Sequence, residues 1–495
     1  MKDLLQRQKQ IMETIAKQYQ KSHYNEATPL VILNPFGTCP LAALMKFSTH
    51  QSCTVSFCVE DDIEFKNNLS ETEHELAIIG LKPGCTNRVT VTCHYEDGTV
   101  ATYEHKIETN PLPEEYPTIE LVTCEESQMA QGMIALSLGK SDGVKTVSHL
   151  YSMIDQRVQV RWLYTGVACH IFMKLQNGNL IVDAPVSSGI CGAYTAAGFI
   201  EMDFLGRILE FYPIPNGLHH DVIELPNGNF LAITQREQTK QDLLVEIDRQ
   251  TKEVVDEWDF RQILDFNRQT VIDKISVNHP LDWLHLNSLV YDEKSDCIIA
   301  SSRNQSTVVK FNKQTLEIKW ILAPHEGWCE RLKPYLLEPI GDCFEWSYAQ
   351  HTPVLTTDGN LLIFDNGNFR SYDLEKAILA YQNYSRVVEY RIDEENMTVE
   401  QIWQYGKERG SELYCAYLGA VRLLENQNKL ICFGGITKDI FGNPIDDMKS
   451  NRMKNRVTVI EMSDEEIVFE MTMKDTDITK ASGYKCYRAE KMTLY

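Results

Sequence analysis

Four histidines in this chain occupy the same place relative to a tight turn. His170, His220, His285 and His351 each lie seven residues before the Asn or Asp that opens one, at Asn177, Asn227, Asp292 and Asp358. Imidazole titrates near neutrality, so it can attack an electrophile, carry a proton or bind a metal at physiological pH. Other polar groups stand beside them in the sequence: His219 and Asp221 around His220, Asn287 two residues after His285, and Arg303 in Ser301-Ser302-Arg303-Asn304. Donors of these types, brought to one point, suit a tetrahedral oxyanion. They suit a divalent metal less well, because the in-phase set contains no carboxylate or thiolate. Three or four imidazoles could still hold zinc or copper, which keeps a metal centre as the alternative.

This chemistry requires that the four histidines meet, and the surrounding pattern predicts that they do. From about residue 118 onward the chain repeats. One part of the repeat is an apolar strand, a polar turn and a strand ending on an aromatic residue. Its six copies end at Trp162, Phe211, Trp258, Trp320, Trp403 and Phe469. The other part is an inner hairpin with a tight turn: Leu175 to Asn179, Leu225 to Asn229, Asp292 to Asp296, Thr357 to Asn360, and Asn426 to Asn428. Asn-Gly and Asp-Gly turns between alternating strands are hairpin signals. The sixth hairpin must come from the chain end or from the stretch Val122 to Leu138. Four strands per unit, repeated about six times, predict an all-β, six-bladed β-propeller over 118–495; an irregular β-solenoid is the alternative. In a propeller the inner strands line one channel, so residues at one phase form a ring. The fifth unit breaks the ring, with Leu418-Gly419 where the histidine would stand.

Two smaller parts precede the propeller. Leu4, Leu5, Ile11, Met12 and Ile15 give residues 1–22 a helical apolar stripe, interrupted by Gln8. Residues 23–117 read as short strands with a turn at Gly80-Leu81-Lys82-Pro83-Gly84, the size and pattern of a small Ig- or fibronectin-like β-sandwich. The helix and an edge of the sandwich are candidate surfaces for a homodimer. The net charge of −22 argues against nucleic acid or an anionic membrane as partner. No run of 18 apolar residues and no signal peptide is visible, and the 14 cysteines lack zinc spacing. Reduced thiols in a cytoplasm follow, or a periplasmic location if a signal has been removed.

The motifs together resemble those of the bacterial aryl-sulfate sulfotransferases that work without the nucleotide donor PAPS. The matching stretches are Asn34 to Leu41, Gly192-Ala193-Tyr194-Thr195, His219-His220-Asp221, Asp282 to Ser288, Ser301 to Asn304, Gln350-His351-Thr352, Phe364 to Gly367 and Tyr405 to Gly410. The resemblance implies a six-bladed propeller behind a β-sandwich, and ping-pong transfer of a sulfuryl group through a histidine. The donor is an aryl sulfate, the acceptor a phenol, with no cofactor and no metal. It puts the nucleophile on His351, its supporting histidines on His220 and His285, the arginine on Arg303 and the paired asparagine on Asn287; His170 receives no role. Tyr194, with Tyr372 and Tyr417, is a candidate wall for the aromatic ring. Exported members carry a disulfide; Cys329 and Cys343 lie in the comparable loop here but are wider apart. The alternative function is a metal-dependent hydrolase or a non-catalytic ligand-binding propeller.

Overall fold

The hairpins predicted around the Asn and Asp turns form, and each is extended to four antiparallel strands. The computed structural model describes residues 1–142, 146–167, 170–184, 195–236, 238–275, 281–439, 441–446, 454–475 and 482–495. The first sheet runs Phe172–Lys174, Leu180–Asp183, Ala196–Met202, Ile208–Leu218, in strand order. The second runs Val222–Glu224, Phe230–Thr234, Leu243–Ile247, Val254–Asp259, and the third Leu286–Asp292, Cys297–Ser302, Thr307–Asn312, Ile318–Leu322. The fourth runs His351–Leu355, Leu361–Asp365, Arg386–Asp393, Thr398–Tyr405, with Glu338–Ile340 added at its edge.

The remaining strands after residue 117 lie in one ten-stranded sheet, in which Thr146–His149 pairs with Met133–Ser141 beside two longer runs. Ala420–Leu423, Lys429–Lys438, Lys454–Ser463 and Glu466–Lys474 make one run, with Thr118–Cys124 paired outside it. Gly483–Met492, Met133–Ser141, Tyr151–Ile154 and Val160–Tyr164 make the other. A single parallel bridge, Asn455 to Gly483, joins the two. The hairpin that the sequence could assign to either of two places thus draws on both, because Gly483–Met492 pairs along Met133–Ser141. Neighbouring first strands touch: Val222–Glu224 meets Leu286–Asp292, which meets His351–Leu355. The contacts continue through Ala420–Leu423 and Gly483–Met492 back to Phe172–Lys174.

The repeat explains what holds the sheets in register. At the turn end of four first strands, an Asn amide reaches a glutamate on the third strand of its own sheet. Asn177 and Asn179 donate to Glu201, Asn229 to Glu246, Asn360 to Glu389 and Asn428 to Glu461, at 2.6–2.9 Å. A cation from the next sheet in the chain completes three of them, Arg249 to Glu201, Lys313 to Glu246 and Lys429 to Glu389, and Lys491, from the other run of the ten-stranded sheet, completes Glu461. The third sheet inverts the charges, with Lys310 at the glutamate position on Asp292 and on Glu394 of the fourth sheet. Buried charges are tolerated because each is paired and hydrogen-bonded. Aromatic strand ends fill the space between sheets. Trp162, Trp258 and Trp320 are buried, and their indole N–H groups donate to Phe204 O, Lys313 O and Glu394 Oε1. Truncating such a residue to Ala costs about 3–5 kcal/mol.

Helix Lys2–Gln20 packs Ile15 inward. Gln8, which interrupts its apolar stripe, pairs with the backbone of Ile208 in both directions at 2.7 Å, so the interruption docks the helix on a strand end. Strands Leu30–Leu33, Ala43–Val59, Ile63–Ile78, Thr86–Tyr95 and Val100–Glu108 form one sheet, curled about the long central strand. Its core of Phe47, Val55, Phe57 and Val91 continues into the residues of the neighbouring strands, including Trp162 and Met202. Every described cysteine, Cys329 and Cys343 among them, is a free thiol. No described helix is long and apolar enough to cross a membrane.

Candidate active site

The in-phase histidines stand at the opposite end of the first strands from the Asn turns, and they do meet. His220 and His285 immediately precede or nearly precede their strands with φ of 58° and 54°, the left-handed region that non-glycine residues seldom adopt. Leu418, at the same phase of the fifth hairpin, has φ 59°. The backbone turn recurs in the fifth unit while the imidazole does not. Ring centres lie 4.8 Å apart for His170 and His220, 4.9 Å for His220 and His285, and 6.4 Å for His220 and His351. His219 joins the group, its Nδ1 against that of His220 and its ring 5.3 Å from His170. His170, which the sequence left without a role, is thus inside the cluster.

His351 is the most firmly held. Gln350, before it, is buried and its amide donates to Ser301 Oγ, Ser302 O and Thr307 O of the third sheet. Thr352, after it, accepts from Val421 N of the fifth hairpin. The ring itself sets Nδ1 2.6 Å from Asn366 Oδ1. Asn366 has no freedom to turn, because its Nδ2 donates to Cys415 O and Leu418 O at 2.9 and 2.7 Å. A fixed amide oxygen can only accept, so Nδ1 carries the proton and Nε2 keeps its lone pair. Burial, together with the charge of Arg303, pushes the His351 pKa down to about 3, so the ring is neutral at physiological pH.

His285 has a different partner. Its Nδ1 lies 3.1 Å from both carboxylate oxygens of Asp282. Burial would raise the Asp282 carboxyl, but contact with His285 outweighs it and holds the pKa below the usual value. Arg303 faces His285 across the sheet, its N–H donating to His285 O at 3.1 Å. Its guanidinium is buried and donates to Asn304 Oδ1 and Ala416 O at 3.0 and 3.2 Å. Burial lowers the Arg303 pKa, partly opposed by Asp282. The other imidazoles are also held neutral. Burial pushes His170 down to about 3, with Lys485 adding to it, and pushes His219 and His220 well down, with the neighbouring rings adding to it.

The remaining expected residues are Asn287, Tyr194, Tyr372 and Tyr417. Asn287 is fully buried; its Nδ2 donates to Gln350 O at 2.8 Å and its backbone carbonyl accepts from Tyr487 Oη. It braces the strand that carries His351. Tyr194 lies outside the described residues, and Tyr372 lies against the cations of Arg268 and Lys274. Tyr417 packs partly buried against Ala380, Tyr414 and Ala416.

Sequence reasoning missed Tyr487 and Arg488. The Tyr487 ring is 5.1 Å from His170, 5.4 Å from His220 and 6.2 Å from His351. Arg488 is buried and pairs with Asp221 at 2.7 Å, while Asp221 also accepts from Leu289 N at 2.8 Å. These two residues lie on Gly483–Met492, a strand with no turn motif and no histidine to mark it. Asn366 stood in a quoted motif, but nothing in its spacing told of the imidazole it orients. Among the described residues no group of three His, Cys, Asp or Glu has metal-holding geometry.

Among the described residues, clustered imidazoles stand beside the guanidiniums of Arg303 and Arg488, a set of donors that suits an oxyanion in a β-protein. Comparison with known proteins gives the family. Residues 119–485 match the arylsulfotransferase (ASST) model and residues 30–110 match the arylsulfotransferase Ig-like domain. The chain belongs to the arylsulfotransferase family and is an enzyme of that kind. It is 28% identical over 513 residues to arylsulfate sulfotransferase AssT of Escherichia coli O6:H1 strain CFT073, covering 82% of this chain and 84% of that one. It is 27% identical to AssT of Lelliottia amnigena over 514 residues, with the same coverage. The β-propeller domain of Myceliophteria thermophila Cps50 (Swd1) aligns with a TM-score of 0.35 and 10% identity, covering 74% of this chain and 99% of that one.

Proposed function

We propose that this chain moves a sulfuryl group from a phenolic sulfate ester to a phenol, by a ping-pong route through a sulfohistidine on His351. The proposal includes a division of the chain into the helix over 1–22, the small β-domain over 23–117 and six propeller blades over 118–495, closed by the pairing of Gly483–Met492 with Met133–Ser141. The observation that carries it is the lock on His351: a fixed Asn366 oxygen on Nδ1, and hence a bare Nε2 on a neutral ring.

In the first half-reaction the Nε2 lone pair attacks sulfur and the bond from sulfur to the aryl oxygen breaks. The electron pair stays on that oxygen, which takes a proton from a neighbouring imidazole and leaves as phenol. In the second, the acceptor phenol gives its proton back to that imidazole, its oxygen attacks sulfur, and the S–N bond breaks. Arg303 and His220 hold the sulfuryl oxygens, so that the transferring group stays in line with His351. A loose transition state makes this positioning and charge matching the main contribution, as in phosphoryl transfer. His285 is the proton carrier best supported, because a carboxylate rather than an amide faces its Nδ1 and stabilises the imidazolium. Incubation with 4-nitrophenyl sulfate and phenol, without PAPS or added metal, is expected to release nitrophenol and form phenyl sulfate. Folded protein that releases none would sink the proposal.

A further inference from the structure

One residue reaches both His285 and Arg303, the proposed helpers of His351. The carboxylate of Asp282 grips His285 Nδ1 through both oxygens at 3.1 Å. Its backbone carbonyl accepts from Asn304 Nδ2 at 2.6 Å, and Asn304 Oδ1 in turn accepts from Arg303 Nη1 at 3.0 Å. Asn304 has no slack of its own, since its N–H donates to Leu284 O and its carbonyl accepts from Thr270 Oγ1 at 2.6 Å. The segment carrying Asp282 is anchored from behind: Leu281 O accepts from Lys240 N, and the Trp283 indole donates to Asp242.

We propose that Asp282 is a positioning residue with two separable arms, its carboxylate orienting His285 for proton delivery and its carbonyl, through Asn304, aiming Arg303 at the sulfuryl oxygens. The inference rests on the sulfotransferase reading of the site. The contrast with His351 supports it. Asn366, a neutral amide, fixes that ring and favours its protonated form less than burial and Arg303 disfavour it, which leaves the neutral ring a nucleophile requires. Asp282, an anion, fixes its ring and stabilises the charge, as a proton donor requires. In the forward step the His285 Nε2 proton passes to the departing aryl oxygen, and Nδ1–H stays on the carboxylate. The imidazole is left neutral and ready to take the acceptor's proton.

A series of aryl sulfates whose phenols differ in acidity separates the arms. The least acidic phenols need the proton most. Asp282→Asn is expected to lose on the order of 10-fold in kcat with 4-nitrophenyl sulfate and roughly 10²-fold or more with phenyl sulfate. Asp282→Glu, which keeps the charge, recovers the parent's dependence on phenol acidity. Asn304→Ala is expected to raise KM for 4-nitrophenyl sulfate by roughly tenfold and leave that dependence unchanged; it also tests the second arm if Asp282→Asn does not fold. An equal loss across the series in Asp282→Asn overturns the first arm, and an unchanged KM in Asn304→Ala overturns the second. A parent protein inactive on every aryl sulfate takes the sulfotransferase reading down with it; an active parent with no Asp282 effect removes only this proposal.

Discussion

The two ends of the same inner strands solve opposite problems. At the turn end, Glu201, Glu246, Glu389 and Glu461 are each matched by an amide and a cation, and each cation ties one four-stranded run to the following strands of the chain. At the histidine end, imidazoles crowd together, His285 Nδ1 stands on the Asp282 carboxylate, and His220 and His285 sit in a left-handed backbone conformation. The turn end pairs opposite charges, and the histidine end packs like groups on a strained backbone. Backbone strain and buried polar groups that lower stability tend to collect where function needs them. The repeat therefore uses one end of each hairpin to hold the molecule together and leaves the other free for chemistry.

That contrast is broken most sharply by exchanging the effects of the two ends. His351→Asn removes the bare nitrogen and is expected to reduce kcat by on the order of 10⁴-fold or more while the melting temperature stays within a few degrees of the parent. Full activity in a folded variant would remove His351 from its role. Asn366→Ala frees the imidazole to flip or change tautomer. Aryl sulfate turnover is expected to fall by roughly 10²–10⁴-fold, the scale of a lost tautomer lock, with a smaller change in KM. Glu246→Ala tests the other end. It strands Lys313 beside two Asn side chains, and an unpaired buried charge costs about 3–5 kcal/mol, so thermal unfolding should move down markedly while activity per folded molecule is kept.

The smallest effect sharpens the comparison by pH. Burial holds His170 and His351 near a pKa of about 3, against about 6.5 in an unfolded chain. Between those values the unfolded chain binds the protons and the native one does not, so stability falls as pH drops from about 6.5 toward 3, by at most ~1.4 kcal/mol per pH unit for each histidine. Glu246 loses stability in the same direction but at lower pH. Burial opposes its charge, but Lys313 and the asparagines outweigh it and hold its pKa down. Its contribution is intact above about 4.3 and is lost only as pH falls below that. Urea titrations from pH 7 to 5 should therefore show a slope that His351→Asn reduces and Glu246→Gln leaves alone. Equal slopes in all three proteins would contradict the buried neutral histidines.

The legibility of this site followed its periodicity. His220, His285 and His351 could be found because the turn signal recurs at a fixed distance, and phase alone carried them to one place. His170 was legible as a member and not as a participant. Arg303 and Asn287 stood beside the histidines in the sequence and took their roles from the resemblance, and the contact of Asn287 with Gln350 O gives it a bracing position that spacing could not express. Asn366 and Asp282 were invisible as partners, since an orienting hydrogen bond depends on rotamers rather than on sequence distance. Tyr487 and Arg488 were missed for another reason. Their strand is assembled against residues from the far side of the sequence, so no local hairpin announces it.

That last strand has a kinetic meaning. Ser137 and Arg488 are bonded to each other although 351 positions separate them. Closing so long a loop costs entropy that local hairpins never face, and non-local pairing slows folding. Most of the β-structure can form before this seam zips, but the Tyr487 side of the histidine cluster cannot. In refolding, recovery of sulfuryl transfer should then lag behind recovery of β-signal, and the lag would time the pairing of Gly483–Met492 with Met133–Ser141.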